Sequence, residues 1–495
     1  MSKVNDLRSA LELLKSIPGQ YVETDVEVDP KGELSGVYRH VGAGGTVMRP
    51  TNPDGPAMMF NNLKGHPGAR CVIGVVCSRA RVAHLLGTTP ENLGWFMKDA
   101  VQNPIEPVMT KDANPACQEV VYKADDPDFD IRKIVPAPTN TLEDAGPYVT
   151  MGLAKATDPD DPDCTDVTIH RFCLQGKDQM SMWITPGARH IGAFYEKYEA
   201  MDKPMPISIS IGLDPAIYLA SGFEPPTTPL GYNELAAAGA LRQEPVELAK
   251  CLTIPETCVA NAEYVIEGYL MPKERVPEDQ FSHTGKSMPE FPGQTGPAPM
   301  VPLIKVTAVT TRKDPIMEST IGPSGEHVHM AGLPTEASIL NMVETAMPGR
   351  LLNVYAHPAG GGKYMAILQF KKSAPSDEGR QRQAALLAFS AFNELKHVIL
   401  VDEDVDPFDS SDVLWAMNTR YQGDLDTIFI PGVRCHPLDH TQEKSYNPMI
   451  RDEADKGLSC KTIFDCTMPF SLKKHFERSQ FMDVDPAHWL PDMFK

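Results

Sequence analysis

The sequence predicts a multidomain protein of mixed α+β and α/β character, and three observations carry that prediction. At 495 residues the chain exceeds the roughly 250–300 residues that one hydrophobic core sustains. Its middle third is a run of short alternating strands, whereas its last third alternates helices with strands. Prolines number 45, about twice the usual share of roughly 5%, and they cluster between periodic segments as turn and loop markers.

The N-terminal segment, residues 1–125, opens with a helix predicted from Asp6 to Ile17, where Leu7, Leu11, Leu14 and Ile17 repeat at helical spacing. Cys71-Val-Ile-Gly-Val-Val-Cys77 reads as a buried strand, and Ser78 to Leu86 as the helix that leaves it. The acidic, proline-punctuated passage from Asp125 to Gly146 reads as a linker or domain start.

The central domain, 126–325, carries strands expected at 148–156, 167–174, 180–184, 207–211, 264–270 and 303–310. Helices are expected at 191–199 and 233–241. Mostly antiparallel strands at this spacing predict a barrel or sandwich. The C-terminal portion, 326–495, reads as helix 336–346, strands 353–355 and 364–370, helix 377–396, strand 398–401 and helix 411–419. This texture predicts a doubly wound parallel sheet. The aromatic-ended tail after Gly457 reads as a segment that docks on a neighbouring subunit.

A net charge of −20 without a basic stripe excludes nucleic acid as a partner. No apolar run reaches the ~18 residues of a membrane span, and the N-terminal stretch lacks the apolar core of a signal peptide. Ten scattered cysteines without a C-x-x-C pair suit reduced thiols, so the expected address is the cytoplasm.

Two motifs imitate ion or phosphate loops. Gly360-Gly-Gly-Lys363 fails as a Walker loop, because His357 stands at the first glycine position and Tyr364 follows the lysine. Asp402-Glu-Asp-Val-Asp406 fails as a calcium loop, with Pro407 where glycine is needed and Val413 where a bidentate Glu belongs. It reads instead as a strand end running into a helix capped by Ser410 or Ser411. His327 and His329 lie near a glycine-rich turn and read, on spacing alone, as satisfied loop residues.

Three passages place unlike polar residues in apolar surroundings. Asp166-Val-Thr-Ile-His-Arg171 sets Asp166, Thr168 and His170 on one strand face and Arg171 on the other. Gly187-Ala-Arg-His190 stands at a helix start, where free N–H groups favour anions, and Asn233-Glu234 precedes a small-residue helix. Asp, His and Glu together suit a hard divalent cation, and would serve equally as three separate surface ion pairs.

These passages, with Phe60-Asn-Asn-Leu-Lys-Gly-His-Pro67, Ser78-Arg-Ala-Arg81, Tyr232-Asn-Glu234, Glu263-Tyr-Val-Ile-Glu-Gly268, Ile304-Lys-Val-Thr-Ala-Val-Thr310 and Ile399-Leu-Val-Asp-Glu-Asp404, resemble the UbiD decarboxylase family in order along nearly the whole chain. Met288-Pro-Glu-Phe-Pro-Gly293, Gly332-Leu-Pro-Thr-Glu-Ala-Ser338 and Asp465-Cys-Thr-Met-Pro469 are most similar to the branch acting on hydroxybenzoates such as protocatechuate and gallate. The resemblance implies a central split-barrel flavin-binding domain and a C-terminal α/β oligomerisation domain. It implies prenylated FMN supplied by a flavin prenyltransferase, a Mn²⁺-type ion, often K⁺, and a homo-oligomer, dimer or larger. It puts the metal ligands on Asp166, His190 and Glu234, with Asp where many members have Asn. Thr168, Ile169, Arg171 and Arg189 fall on cofactor-contacting positions.

The family's Arg–Glu–Glu network falls on Arg171, on Glu290 as the preferred glutamate and on Glu278 as the competing match, with the second glutamate replaced or displaced. His327, Lys363 and His436 are candidates to hold a small aromatic acid. A departing CO₂ leaves an electron pair that side chains cannot accept, so a cofactor must supply the sink. The expected reaction is non-oxidative decarboxylation of 3,4-dihydroxybenzoate to catechol or of gallate to pyrogallol. The rival expectations are a polyprenyl-hydroxybenzoate decarboxylase of quinone biosynthesis and a non-catalytic flavin- or metal-binding subunit. An NAD-linked oxidoreductase is disfavoured, since no G-x-G-x-x-G follows a strand in the C-terminal portion.

Overall fold

The computed structural model describes residues 3–46, 51–52, 54–184, 189–447 and 457–493. Near the N-terminus, Asp6 caps the Leu7–Lys15 helix, which buries Leu7, Ala10, Leu11 and Leu14 as the periodicity requires. The apolar run after Arg70 is a strand only to Ile73, because Gly74 at φ 91° turns the chain toward Ser78. Ser78 caps the Arg79–Leu86 helix. Arg81 of that helix is fully buried, and its guanidinium is satisfied by the Gln20 side chain and the carbonyls of Gly55 and Gly74.

The central strands close into an antiparallel barrel. The order runs Tyr264–Pro277, Met205–Ile211, Tyr148–Asp158, Asp161–Leu174, Gln179–Met182 and Met300–Thr311, and this last strand pairs back to the first. Closure leaves no free edge among these six, which accounts for strands so rich in Ile, Val and Met. Phe172, Ile207, Ile209, Ile266, Ile304 and Val306 pack in one core with Leu34 and Phe60 of the N-terminal segment.

Sheets cross the division at 125. Val120–Lys123 adds to the barrel strand Met300–Thr311, and Ile316–Ser319 pairs with Arg70–Ile73 in the N-terminal four-stranded sheet. The acidic passage read as a linker is packed, not loose. Asp130 caps the short Ile131–Ile134 helix, and Phe129 and Ile131 are buried.

The C-terminal sheet is mixed where a parallel one was expected. Its order is Leu351–Ala356, Met365–Phe370, His397–Asp402, Leu458–Asp465 and Thr427–Arg434. The three inner strands run parallel and each edge strand pairs antiparallel to its neighbour. The part of the tail just after Gly457 is thus an inner strand of this sheet; the exposed aromatics begin later, at Phe481 and Trp489. The helix expected from residue 336 begins at Gly325 and runs unbroken to Ala346. Ser324 caps it, Pro334 lies inside it, and the Met330 carbonyl that proline cannot serve packs against Gly222, where a Cβ would collide. His327 and His329 are therefore helical rather than loop residues. The helix expected over 377–396 is the shorter Arg380–Ala391, started by Gly379 in the left-handed region. Asp409, not either serine, caps Ser410–Thr419. No helix among the described residues is long and apolar enough to cross a membrane.

Candidate active site

The Asp161–Leu174 strand delivers two groups of functional side chains to opposite faces, as its period of two dictates. On one side Arg171 grips two carboxylates at once. Its Nε and Nη2 donate to Oε1 and Oε2 of Glu278, each at 2.8 Å, while Nη1 donates to Glu290. Nη2 also reaches the Pro297 carbonyl at 3.2 Å, and the guanidinium carbon lies 4.8 Å from the centre of the Trp183 ring.

Glu290 and Glu278, the two alternatives from sequence, both meet the same arginine. The Tyr148 hydroxyl adds a third bond to Glu278, at 3.1 Å, and the Gln175 amide holds its backbone carbonyl at 3.0 Å. Burial pushes the Glu278 carboxyl above its ordinary value, although Arg171 and Tyr148 pull against it. For Arg171, burial disfavours the charge, but Glu290 and Glu278 outweigh it and hold the guanidinium above its ordinary value.

Asp166, His190 and Glu234 come from three elements. Asp166 lies on the strand, His190 opens the His190–Ala200 helix, and Glu234 opens the Glu234–Arg242 helix behind its Asn233 cap. One potential ligand atom from each lies within 4.8 Å of the other two. Gly187 and Ala188 lie outside the described residues. Asp166 accepts the Ile191 N–H at 2.6 Å, whereas the buried Oε2 of Glu234 has no hydrogen-bond partner.

Burial, with the Asp166 charge second, pushes Glu234 up to about 8, and burial raises Asp166 as well despite His190 and Arg189 nearby. Two buried carboxylates facing one another beside an imidazole are poorly matched alone, and a divalent cation among them removes the mismatch. The donor set of two carboxylates and one imidazole fits a hard or borderline ion such as Mn²⁺. Thr168 is buried on the same strand and Ile169 is half-buried. Arg189, at φ 63°, donates to the Phe223 carbonyl at 3.1 Å and pairs with Glu224 at 2.5 Å.

His327, Lys363 and His436 converge around one ring, that of Phe291. The His327 and His436 ring centres lie 5.6 and 4.8 Å from it, and Lys363 Nζ lies 5.6 Å away. Lys363 pairs with Glu394 at 2.9 Å, and His436 Nε2 lies 3.6 Å from the same carboxylate. Burial lowers both histidines, His436 strongly, so both imidazoles are neutral near pH 7.

His329, by contrast, meets the Val76 carbonyl with its Nδ1 at 2.8 Å and is a half-buried, satisfied helical residue. The acidic run that imitated a calcium loop is spent on Arg420, which binds Asp402 at 3.0 Å and Asp404 at 2.6 Å. Trp183, Tyr148, Phe291 and Glu394 were missed by sequence reasoning. Only Phe291 had a signal, its place beside Glu290.

A strand-borne Asp166 grouped with His190 and Glu234, and an Arg171 held between two glutamates, suit a cofactor-assisted lyase. The comparisons agree. Models of the N-terminal, Rift-related and C-terminal domains of 3-octaprenyl-4-hydroxybenzoate carboxy-lyase (UbiD) match residues 12–96, 108–325 and 328–466. The chain is 56% identical over 485 residues to the gallate decarboxylase of Lactiplantibacillus plantarum, covering 98% of each. It superposes on the apo 3,4-dihydroxybenzoic acid decarboxylase of Enterobacter cloacae with TM-score 0.93, at 57% identity and full coverage of both chains. An evolved dimeric form of the UbiD-class enzyme HmfF of Pelotomaculum thermopropionicum, in complex with prFMN, matches with TM-score 0.81 at 30% identity, covering 98% of this chain and 100% of that one. The chain belongs to the UbiD family of decarboxylases.

Proposed function

We propose that this enzyme removes CO₂ non-oxidatively from 3,4-dihydroxybenzoate or gallate, giving catechol or pyrogallol. The observation that carries the reading is one strand presenting Arg171 to Glu278 and Glu290 and Asp166 to His190 and Glu234. Its relatives act on these two acids by name. Prenylated FMN, when bound, supplies the electron sink for the pair left by CO₂.

The protein's own groups do the rest. Asp166, His190 and Glu234 hold Mn²⁺ or a similar divalent ion, with K⁺ as a second cation, and Thr168, Ile169, Arg171 and Arg189 line the cofactor. Glu278 is fixed by two bonds from Arg171 and one from Tyr148, so it serves as a permanent anchor. Glu290 has a single bond to Arg171 and more exposure, which leaves it free to carry the proton that replaces CO₂ on the ring carbon. His327, Lys363 and His436 orient the phenol and carboxylate oxygens.

The enzyme works in the cytoplasm as a homo-oligomer and receives its cofactor from a flavin prenyltransferase. Ten free cysteines are consistent with that compartment. The test is to load the protein with prenylated FMN and follow CO₂ release from a panel of hydroxybenzoates, including a polyprenylated one. Release from 3,4-dihydroxybenzoate or gallate is expected only from loaded protein. Full turnover without the cofactor, or turnover of the polyprenylated acid alone, would overturn the proposal.

A further inference from the structure

Glu290 and Phe291 are adjacent in sequence but belong to different surroundings. Glu290 reaches back to Arg171 on the barrel. Phe291 turns away and is 2% exposed, yet it is a member of none of the apolar core clusters. Its ring is met edge-on by His327, Tyr364 and His436, with centroids 5.6, 5.1 and 4.8 Å away, and by the Lys363 ammonium. His327 lies on the Gly325–Ala346 helix, and the other three lie in the turn before Met365–Phe370 and the segment after Thr427–Arg434.

The seat is closed by Gly361 at φ 64°, where a Cβ would collide with the Phe291 ring. The turn itself is tight. Glu290 N donates to the Gln294 carbonyl at 2.8 Å, and Gly293 N donates to the Glu290 carbonyl at 3.0 Å. A displacement of the ring is therefore passed to the carboxylate beside it.

We infer that Phe291 is a positioning residue: by docking its ring among His327, Tyr364, Lys363 and His436 it places the Glu290 carboxylate on Arg171. A residue that merely filled space would sit among aliphatic side chains. This one sits among polar rings and an ammonium, three of which are the groups assigned above to hold substrate. The location of the proton carrier is thus tied to the cluster that binds the acid. This inference rests on the proposed role of Glu290.

The test compares Phe291→Leu and Phe291→Tyr in protein loaded with prenylated FMN and metal. Phe291→Leu should keep parental flavin and metal content and a KM within about twofold, while kcat and deuterium exchange at the product ring both fall about 10- to 100-fold. Phe291→Tyr, which keeps the ring, should restore kcat to within about threefold of the parent. A crystal structure of Phe291→Leu should show Glu290 off Arg171 with the Arg171–Glu278 pair intact. Glu290 still seated on Arg171, or a raised KM with unchanged kcat, would overturn the inference. Should the parent release no CO₂ from any hydroxybenzoate, the proposed reaction fails, and the position of Glu290 in that crystal structure still decides the role of Phe291.

Discussion

Arg171 serves two carboxylates unequally, and the inequality separates their roles. Three bonds hold Glu278 and one holds Glu290. Glu290→Gln keeps size and a hydrogen-bonding oxygen but removes the proton, so decarboxylation should fall by about 10²–10⁴-fold, with slower deuterium exchange at the product ring. Glu278→Gln should retain measurable turnover and instead loosen Arg171. A dead Glu278→Gln beside a near-normal Glu290→Gln would exchange the two roles. At the metal, His190→Ala and Glu234→Gln should lower bound metal, assayed by elemental analysis, and bound flavin, assayed by absorbance, while the far-UV spectrum stays parental. Wild-type contents in both variants would dismiss the site. Asp166 and Arg171 stood out in sequence as polar side chains on an apolar strand, but the grouping with His190 and Glu234, which open helices, came only from the family resemblance. The pairing of Glu278 with Glu290 was not legible, since a loop and the short Lys286–Pro289 strand separate residues that a single guanidinium brings together.

Elements were most legible where period and cap agree, as in Leu7–Lys15 behind Asp6 and Arg79–Leu86 behind Ser78. They were least legible where tertiary packing overrides a breaker. Gly332 and Pro334 argued for a late start to the long helix, yet Ser324 begins it eleven residues earlier than expected, and this extension carries His327. The same extension buries Glu326, whose carboxylate accepts the Val76 N–H at 3.5 Å and faces Glu318, Arg81, Cys77 and Tyr38. Burial pushes Glu326 up to about 7. The folded state thus keeps this proton to higher pH than the unfolded chain, and stability falls as pH rises from about 4.5 to about 7, by about 1.4 kcal/mol per unit at most. Glu326→Gln should match the parent in thermal midpoint near pH 4.5 and exceed it at pH 8. A pH-independent difference between the two would contradict the buried charge.

At the scale of the whole molecule, sequence texture divides the chain at 125 and 325; strand pairing crosses the first division, and the Gly325–Ala346 helix stands at the second. Val120–Lys123 adds to the closed barrel from before the first division, and Ile316–Ser319 completes the N-terminal sheet from beyond it. Strand pattern left barrel and sandwich open, and only the resemblance implied the barrel, because the pairing of Tyr264–Pro277 with Met300–Thr311 is a long-range choice that local pattern does not encode. The Gly325–Ala346 helix then lends Met330, Leu333 and Ala337 to the largest core and Ile339, Leu340 and Val343 to the C-terminal one. A fragment of residues 126–325 would lack the Val120–Lys123 strand that adds to Met300–Thr311, would leave the Ile316–Ser319 strand without its partner, and would lose the helix that covers Leu219 and Phe223. Exposed strand edges and bare apolar faces of this kind lead to aggregation. That fragment should therefore be insoluble or give no cooperative urea transition. A fragment of residues 1–350 retains both sheets and the whole helix, so with the bared Ile339, Leu340 and Val343 replaced by polar residues it should unfold cooperatively with a near-UV spectrum of native type. A cooperative transition in the 126–325 fragment would show the barrel to be an autonomous unit, and the interlocked strands to be additions to it rather than parts of it.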